Sequence, residues 1–113
     1  MRRDVGHLAD IVNAARRIQA YLSGVDAEAF DRDPMRQDAV IRQLEILGEA
    51  TKRLSEEFRL EHPDVPWRGI AGMRDILIHA YDHVDVAEVW RVVVQDVPRL
   101  LATLEELLPS EAS

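Results

Sequence analysis

Between Val40 and Phe58 one file of residues is spaced by four, three, four, three and four: Val40, Leu44, Leu47, Thr51, Leu54 and Phe58. Only a helix brings positions at that spacing onto one side, and the alternation of three and four is that of helices packed side by side. Asp33-Pro34 opens this helix with an acid at the N-cap and proline at the first helical position. The pattern predicts a long helix from there to about Arg59. Gly48 lies beside the seam, where glycine costs about 1 kcal/mol against alanine. Close approach of another helix or of a ligand would repay that cost. Its neighbour Glu49 faces either solvent or such a site.

The same period recurs on both sides of this helix. Leu8, Ile11, Ala15, Ile18 and Leu22 give a first helix, with Asp4 as its expected N-cap and Gly24 as its end. Arg16 and Arg17 fall on its outer, solvated side. The stretch from Asp26 to Asp33 reads as a loop, with Phe30 plugged into the core. His62-Pro63-Asp64-Val65-Pro66-Trp67 interrupts the chain, because proline cannot continue a helix but suits the first turn of the next. A third helix is expected from about Pro66 to about Tyr81. Trp67 is its core anchor, Ile70, Met73, Leu77 and Ala80 its stripe, and Gly69 and Gly72 places of close contact. Asp85 with Glu88 resembles a capping box for a fourth helix reaching about Leu108, with a kink at Pro98. Its seam is Val86, Trp90, Val93, Val97, Leu100, Leu104 and Leu107.

There is no strand pattern, repeat or low-complexity stretch. The sum is an all-α chain, an antiparallel four-helix bundle in one domain spanning 1–113 with a core over about 4–108. Helix three also carries Ile76 and Ile78. Helix four also carries Val89, Val94, Leu101 and Leu108. Either a second copy covers this extra apolar surface, giving a homodimer, or one wide stripe faces two neighbours within the bundle.

Composition removes several function classes. With 21 acidic and 14 basic residues the net charge is −7, which argues against a protein that coats nucleic acid generally but allows a local basic cleft or a basic protein partner. The absence of cysteine excludes a disulfide scaffold, a cysteine zinc site and a cysteine nucleophile. Neither a signal peptide nor a membrane span is readable, so the expected location is the cytoplasm, away from any membrane. His7, His62 and His83 form no metal-ligand spacing with His79 and read as surface residues, so neither metal nor cofactor is expected.

One segment mixes chemistry with apolar residues: Arg74-Asp75-Ile76-Leu77-Ile78-His79-Ala80-Tyr81. On a helix Asp75 and His79 share a face, as do Arg74 and Tyr81, whereas Arg74 and His79 diverge by about 140°. Asp75 can therefore orient His79 within one chain. For Arg74 to meet His79, either the helix ends near His79 or a second copy completes the site. A purely structural network of buried polar groups uses the same residue types.

The sequence resembles the HepT-like family of minimal HEPN domains. The likeness is carried by Gln37-Asp38-Ala39-Val40-Ile41-Arg42 with Leu44, by Ile46-Leu47-Gly48-Glu49-Ala50, by Leu54-Ser55, and by His62-Pro63 with Val65-Pro66-Trp67. It continues through Gly72-Met73-Arg74, His79, Tyr81, Val84-Asp85 and Trp90. The resemblance implies an all-α homodimer that is the toxin of a toxin–antitoxin pair and a metal-independent endoribonuclease. Arg74 and His79 would be the catalytic pair, with Asp75 and Glu49 in support. The partner would be a minimal nucleotidyltransferase that neutralises the toxin by adding AMP to Tyr81. The family usually has asparagine where this chain has Asp75; an acid there can favour the charged form of His79 or repel a phosphate. The alternatives are a non-catalytic nucleotide- or substrate-binding subunit of such a nucleotidyltransferase, and a plain helical dimer.

Overall fold

A computed structural model describes residues 2–72 and 85–107. In chain order the elements are α1 (Arg2–Tyr21), α2 (Ala27–Asp31), α3 (Pro34–Lys52), α4 (Glu56–Glu61), α5 (helical over 67–72), α6 (Val86–Arg91), a π turn (Val92–Asp96) and α7 (Val97–Leu107). The described residues contain no strand, and the protein is all-α as its periodicity requires.

α1 packs most extensively on α3 and also meets α7, while the short α2 bridges α3 and α6. The α1 stripe of Leu8, Ile11, Ala15 and Ile18 is fully buried, as are Val40, Leu44 and Leu47 of α3 and Leu104 of α7. Asp4 at the start of α1 bonds Ser55 just beyond α3, so these two helices run antiparallel. Arg16 is exposed as expected, yet it reaches Glu105 of α7 at 2.8 Å. Gly24, beyond α1, has φ +74°, which glycine adopts without the steric cost of a Cβ.

Four boundaries differ from the sequence expectation, each for a local reason. α1 begins at Arg2, so Asp4 lies inside its first turn and is not the N-cap; its carboxylate is drawn instead to Ser55. The expected loop after Asp26 contains α2, because Asp26 accepts the N–H of Ala29 at 2.8 Å. Gln37 holds the end of α2 by donating to the carbonyls of Phe30 and Asp31. Phe30 is the expected plug, fully buried with its ring 5.4 Å from that of Trp90.

The third difference is in the long seam. The helix stops at Lys52 and restarts at Glu56, with Ser55 as a new N-cap accepting the N–H of Phe58 at 3.1 Å. Leu54 and Phe58 nevertheless stay in the core, so the seam crosses the break without losing its face.

The fourth is the helix around Pro98. The disturbance lies N-terminal to the proline, as a π turn in which the Val97 N–H bonds back to the Val92 carbonyl. A proline ring clashes with the carbonyl four residues earlier and offers no N–H, so the adjustment falls in that preceding turn. The widened turn lets both halves face inward: Val89 before it, Val92 and Val93 within it, and Val97, Leu100, Leu101 and Leu104 after it are all buried. Val89 and Leu101 therefore belong to this chain's own core and supply no surface for a second copy. Val94, 43 % exposed, remains on the outside.

Among the described residues, no helix is long and apolar enough to cross a membrane.

Candidate functional site

The polar segment is flanked by two anchors. Upstream, the turn after α4 is closed by hydrogen bonds from Val65 N–H to the His62 carbonyl and from Trp67 N–H to the Val65 carbonyl. The Trp67 indole N–H donates to the same His62 carbonyl at 2.9 Å, and its ring meets Phe58 edge-on at 5.9 Å. Trp67, Ile70 and Ala71 are buried, which fixes the first turns of α5, three residues before Arg74. His62 is half-buried with its ring 4.6 Å from Phe58, so it is a packing residue and not simply a surface one. Downstream, Asp85 caps α6 by accepting the Glu88 N–H at 3.1 Å. The expected capping box is only half formed, because the Glu88 side chain turns to Arg91. Arg74, Asp75, His79 and Tyr81 lie outside the described residues, as does His83.

Glu49 is half-buried on α3 and ion-paired to Arg53 at 3.4 Å. It lines a cleft of about 250 Å³ between α1 and α3, together with His7, Asp10, Arg42, Glu45 and Arg53. Arg42 is paired with Glu45 at 3.5 Å. The cleft thus opposes three carboxylates to two guanidiniums and an imidazole. His7, read from sequence as a surface residue, is half-buried in its wall. The three-residue spacing of His7 and Asp10 on α1 was the available signal for it. Among the described residues no group of three or more His, Cys, Asp or Glu could hold a metal ion.

A larger groove of about 520 Å³ runs between the start of α5 and the helix from α6 through α7. Its floor includes the buried Val65, Ile70, Val92 and Leu100. Arg91 on its wall is gripped by Glu88, with Nε 3.1 Å and Nη2 2.7 Å from the two carboxylate oxygens, and Nη1 lies 3.6 Å from Asp96. The hydrogen bond from Arg91 holds the Glu88 carboxyl below its ordinary range, and Glu88 in turn raises the guanidinium of Arg91. Gly69 also lines the groove, and a methyl group built there would meet nothing within 4 Å. Packing among the described residues therefore does not explain that glycine.

Comparison with known proteins places these features. The family model described as ribonuclease HepT-like matches residues 11–107. The chain belongs to the HepT-like ribonuclease family. It is 45% identical over 101 residues to a protein of Thermococcus cleftensis named "Probable ribonuclease HepT", covering 89% of this chain and 92% of that one. A "Putative RNase" of Caldanaerobacter subterraneus is 39% identical over 105 residues, covering 93% and 94% of the two chains. Another "Putative RNase", from Methanocaldococcus jannaschii, is 38% identical over 105 residues, covering 92% and 96%. No solved structure matches. The HepT-like match spans α3, the break, the anchored start of α5 and the capped α6, so the family and the fold rest on the same residues.

Proposed function

We propose that this HepT-like chain is a metal-independent endoribonuclease and the toxin of a toxin–antitoxin pair, acting in the cytoplasm. The observation that carries the reading is the family match over 11–107 with Arg74, His79 and Tyr81 all present in their family spacing. Cleavage without a metal needs a base for the 2′-hydroxyl, an acid for the leaving oxygen and positive charge at the phosphate. Histidine exchanges protons near neutral pH, so His79 takes the base or acid role. Arginine donates two parallel hydrogen bonds to phosphate oxygens, so Arg74 holds the charge that builds there. Asp75 orients His79 from one turn earlier, and Glu49 supports the site from α3.

Arg74 and His79 diverge by about 140° on a straight helix. A homodimer resolves this by letting each copy complete the other's pair. Two copies also supply two histidines, one for each proton transfer. The partner that silences the chain is a minimal nucleotidyltransferase, which adds AMP to the hydroxyl of Tyr81.

Asp75 in place of the family's usual asparagine favours a second reading, in which the chain binds a nucleotide or substrate for that partner without cleaving RNA. Growth and RNA integrity after expressing the chain alone separate the two. The ribonuclease reading expects growth arrest and fragmented RNA, unaffected by EDTA in the purified reaction. Replacing His79 or Arg74 by alanine, with helical circular dichroism retained, should lower cleavage by roughly 10²–10⁴-fold. Full activity in folded His79→Ala sinks the assignment.

A further inference from the structure

Arg91 and Arg99 both line the 520 Å³ groove, yet they are prepared for different work. Each nitrogen of the Arg91 guanidinium faces a carboxylate oxygen, from Glu88 or Asp96. Its edges are occupied and its charge is more than offset, so it is not a phosphate ligand. What this bracing leaves is a flat face held in one plane. Unpaired nucleobases stack on guanidinium planes as they do on aromatic rings. Arg99, eight residues further along the same wall, is exposed and makes no ion pair among the described residues, so no described carboxylate competes with an anion for its fork.

The rest of the lining fits the same kind of guest. Val65, Ile70, Val92 and Leu100 form an apolar floor, and the glycine at 69 leaves the opposite wall open. The volume lies within the usual range of small-molecule sites, about 300–1,000 Å³. Asp64, across the groove, offers acceptor oxygens only. Carboxylates accept hydrogen bonds from exocyclic amino groups of bases, as they do from cytosine N4, and repel carbonyl edges. The wall carrying Arg91 is also interrupted by the π turn, and π turns are frequent at functional sites.

We infer that this groove is a nucleotide site, in which an amino-bearing base stacks on Arg91 with its edge toward Asp64 and a phosphate is held by Arg99. The nucleotide belongs either to a single-stranded RNA or to a free mononucleotide. The RNA source rests on the ribonuclease reading, since Arg74 follows two residues after the last described residue of α5.

The test uses the full chain carrying His79→Ala, which on the ribonuclease reading stops cleavage and changes none of the residues that line the groove. Fluorescence anisotropy would follow labelled oligo-A, oligo-C and oligo-U. Methyl NMR of Ile70 and Leu100 would follow both RNA and adenosine monophosphate. Oligo-A and oligo-C are expected to bind about tenfold more tightly than oligo-U, and Arg99→Ala and Arg91→Ala each to weaken binding by about tenfold. Arg91→Tyr, which restores a flat face without charge, should recover most of the loss. Shifts at Ile70 and Leu100 with the monophosphate alone make the groove a free-nucleotide site; shifts with RNA make it a substrate subsite. If neither shifts these methyls, or if Arg99→Ala and Arg91→Ala bind as their parent does, the groove is not a nucleotide site.

Cleavage by the otherwise unchanged protein separates this from the ribonuclease reading. Cleavage with an unaltered KM in Arg99→Ala removes the groove as a substrate subsite and keeps the ribonuclease. Absent cleavage with binding through Arg91 and Arg99 does the reverse.

Discussion

The carboxylate of Asp4 accepts both the backbone N–H and the hydroxyl of Ser55, each at 2.8 Å, across fifty-one positions of chain. The same Ser55 oxygen accepts the N–H of Phe58 and so starts α4. One serine thereby begins the helix that follows α3 and ties it to the start of α1. Asp4→Ala removes the acceptor and leaves the Ser55 N–H half-buried without its partner. The expected loss is about 1.5–3 kcal/mol, the usual worth of a hydrogen bond to a charged group, read from the midpoint of urea unfolding.

The same pair sets a pH dependence. Burial pushes the Asp4 carboxyl up, but the two hydrogen bonds from Ser55, together with the charges of the N-terminus and His7, hold the group below its ordinary 3.8. A carboxyl depressed in the folded state contributes stability above its unfolded value, and that contribution is lost as pH falls through the folded value. Acid unfolding of the wild type should therefore steepen below pH 3.8 relative to Asp4→Asn, whose curve lacks this component. Parallel curves for the two proteins would show that the pair carries no pH linkage.

Phe30 is fully buried on the five-residue α2 and meets Trp90 across the bundle. Phe30→Ala should cost about 3–5 kcal/mol through lost burial and the cavity left behind. Thermal unfolding should show the loss, and Trp90 emission should shift to the red as its neighbour disappears. An unchanged melting temperature would mean that α2 is not part of the cooperative core.

If the catalytic pair is shared between copies, two inactive proteins can repair one another. Arg74→Ala and His79→Ala, mixed and allowed to exchange subunits, should recover RNA cleavage, because the mixed dimer contains one intact pair. Light scattering should give about twice the 12.9 kDa chain mass. Recovery in the mixture is the specific sign of a pair split between copies that works with a single histidine; its absence in a confirmed mixed dimer means that the pair is not split in this way or that both histidines are required.

AMP addition to Tyr81 would bring about one negative charge and a bulky base next to Arg74, blocking the phosphate site by charge and by volume. Intact-mass spectrometry after incubation with the cognate nucleotidyltransferase and ATP should show AMP mapped to Tyr81. Tyr81→Phe should escape both modification and neutralisation. Equal modification of Tyr81→Phe would move the switch to another residue.

The helices were legible because their apolar residues keep the helical period, from Leu8 to Ile18 and from Val40 to Leu47. The break at Ser55 was hidden because Leu54 and Phe58 continue the seam across it without a change of phase; the only signal was a serine followed by Glu56 and Glu57. Pro98 announced a disturbance but not its location, since its ring acts on the turn before it. The motif at Arg74, His79 and Tyr81 was legible as a spacing of residue types. The braced plane of Arg91 was not, because Glu88, Arg91 and Asp96 read in sequence as an ordinary solvated helix face.

The widened turn at Val92–Asp96 makes the helix between Asp85 and Leu107 a matter of counting. It uses one residue more than an unbroken α-helix would, and that residue turns everything after it by about 100°. Straightening the turn at constant length would rotate Leu100 and Leu104 off the core, whereas deleting one residue from it would give a regular helix that keeps them there. Loss of one residue can therefore be absorbed in this stretch, although elsewhere in a packed helix it would turn all that follows. Across relatives of this chain, a one-residue deletion within 92–97 should therefore come with a regular helix and an unchanged inward face.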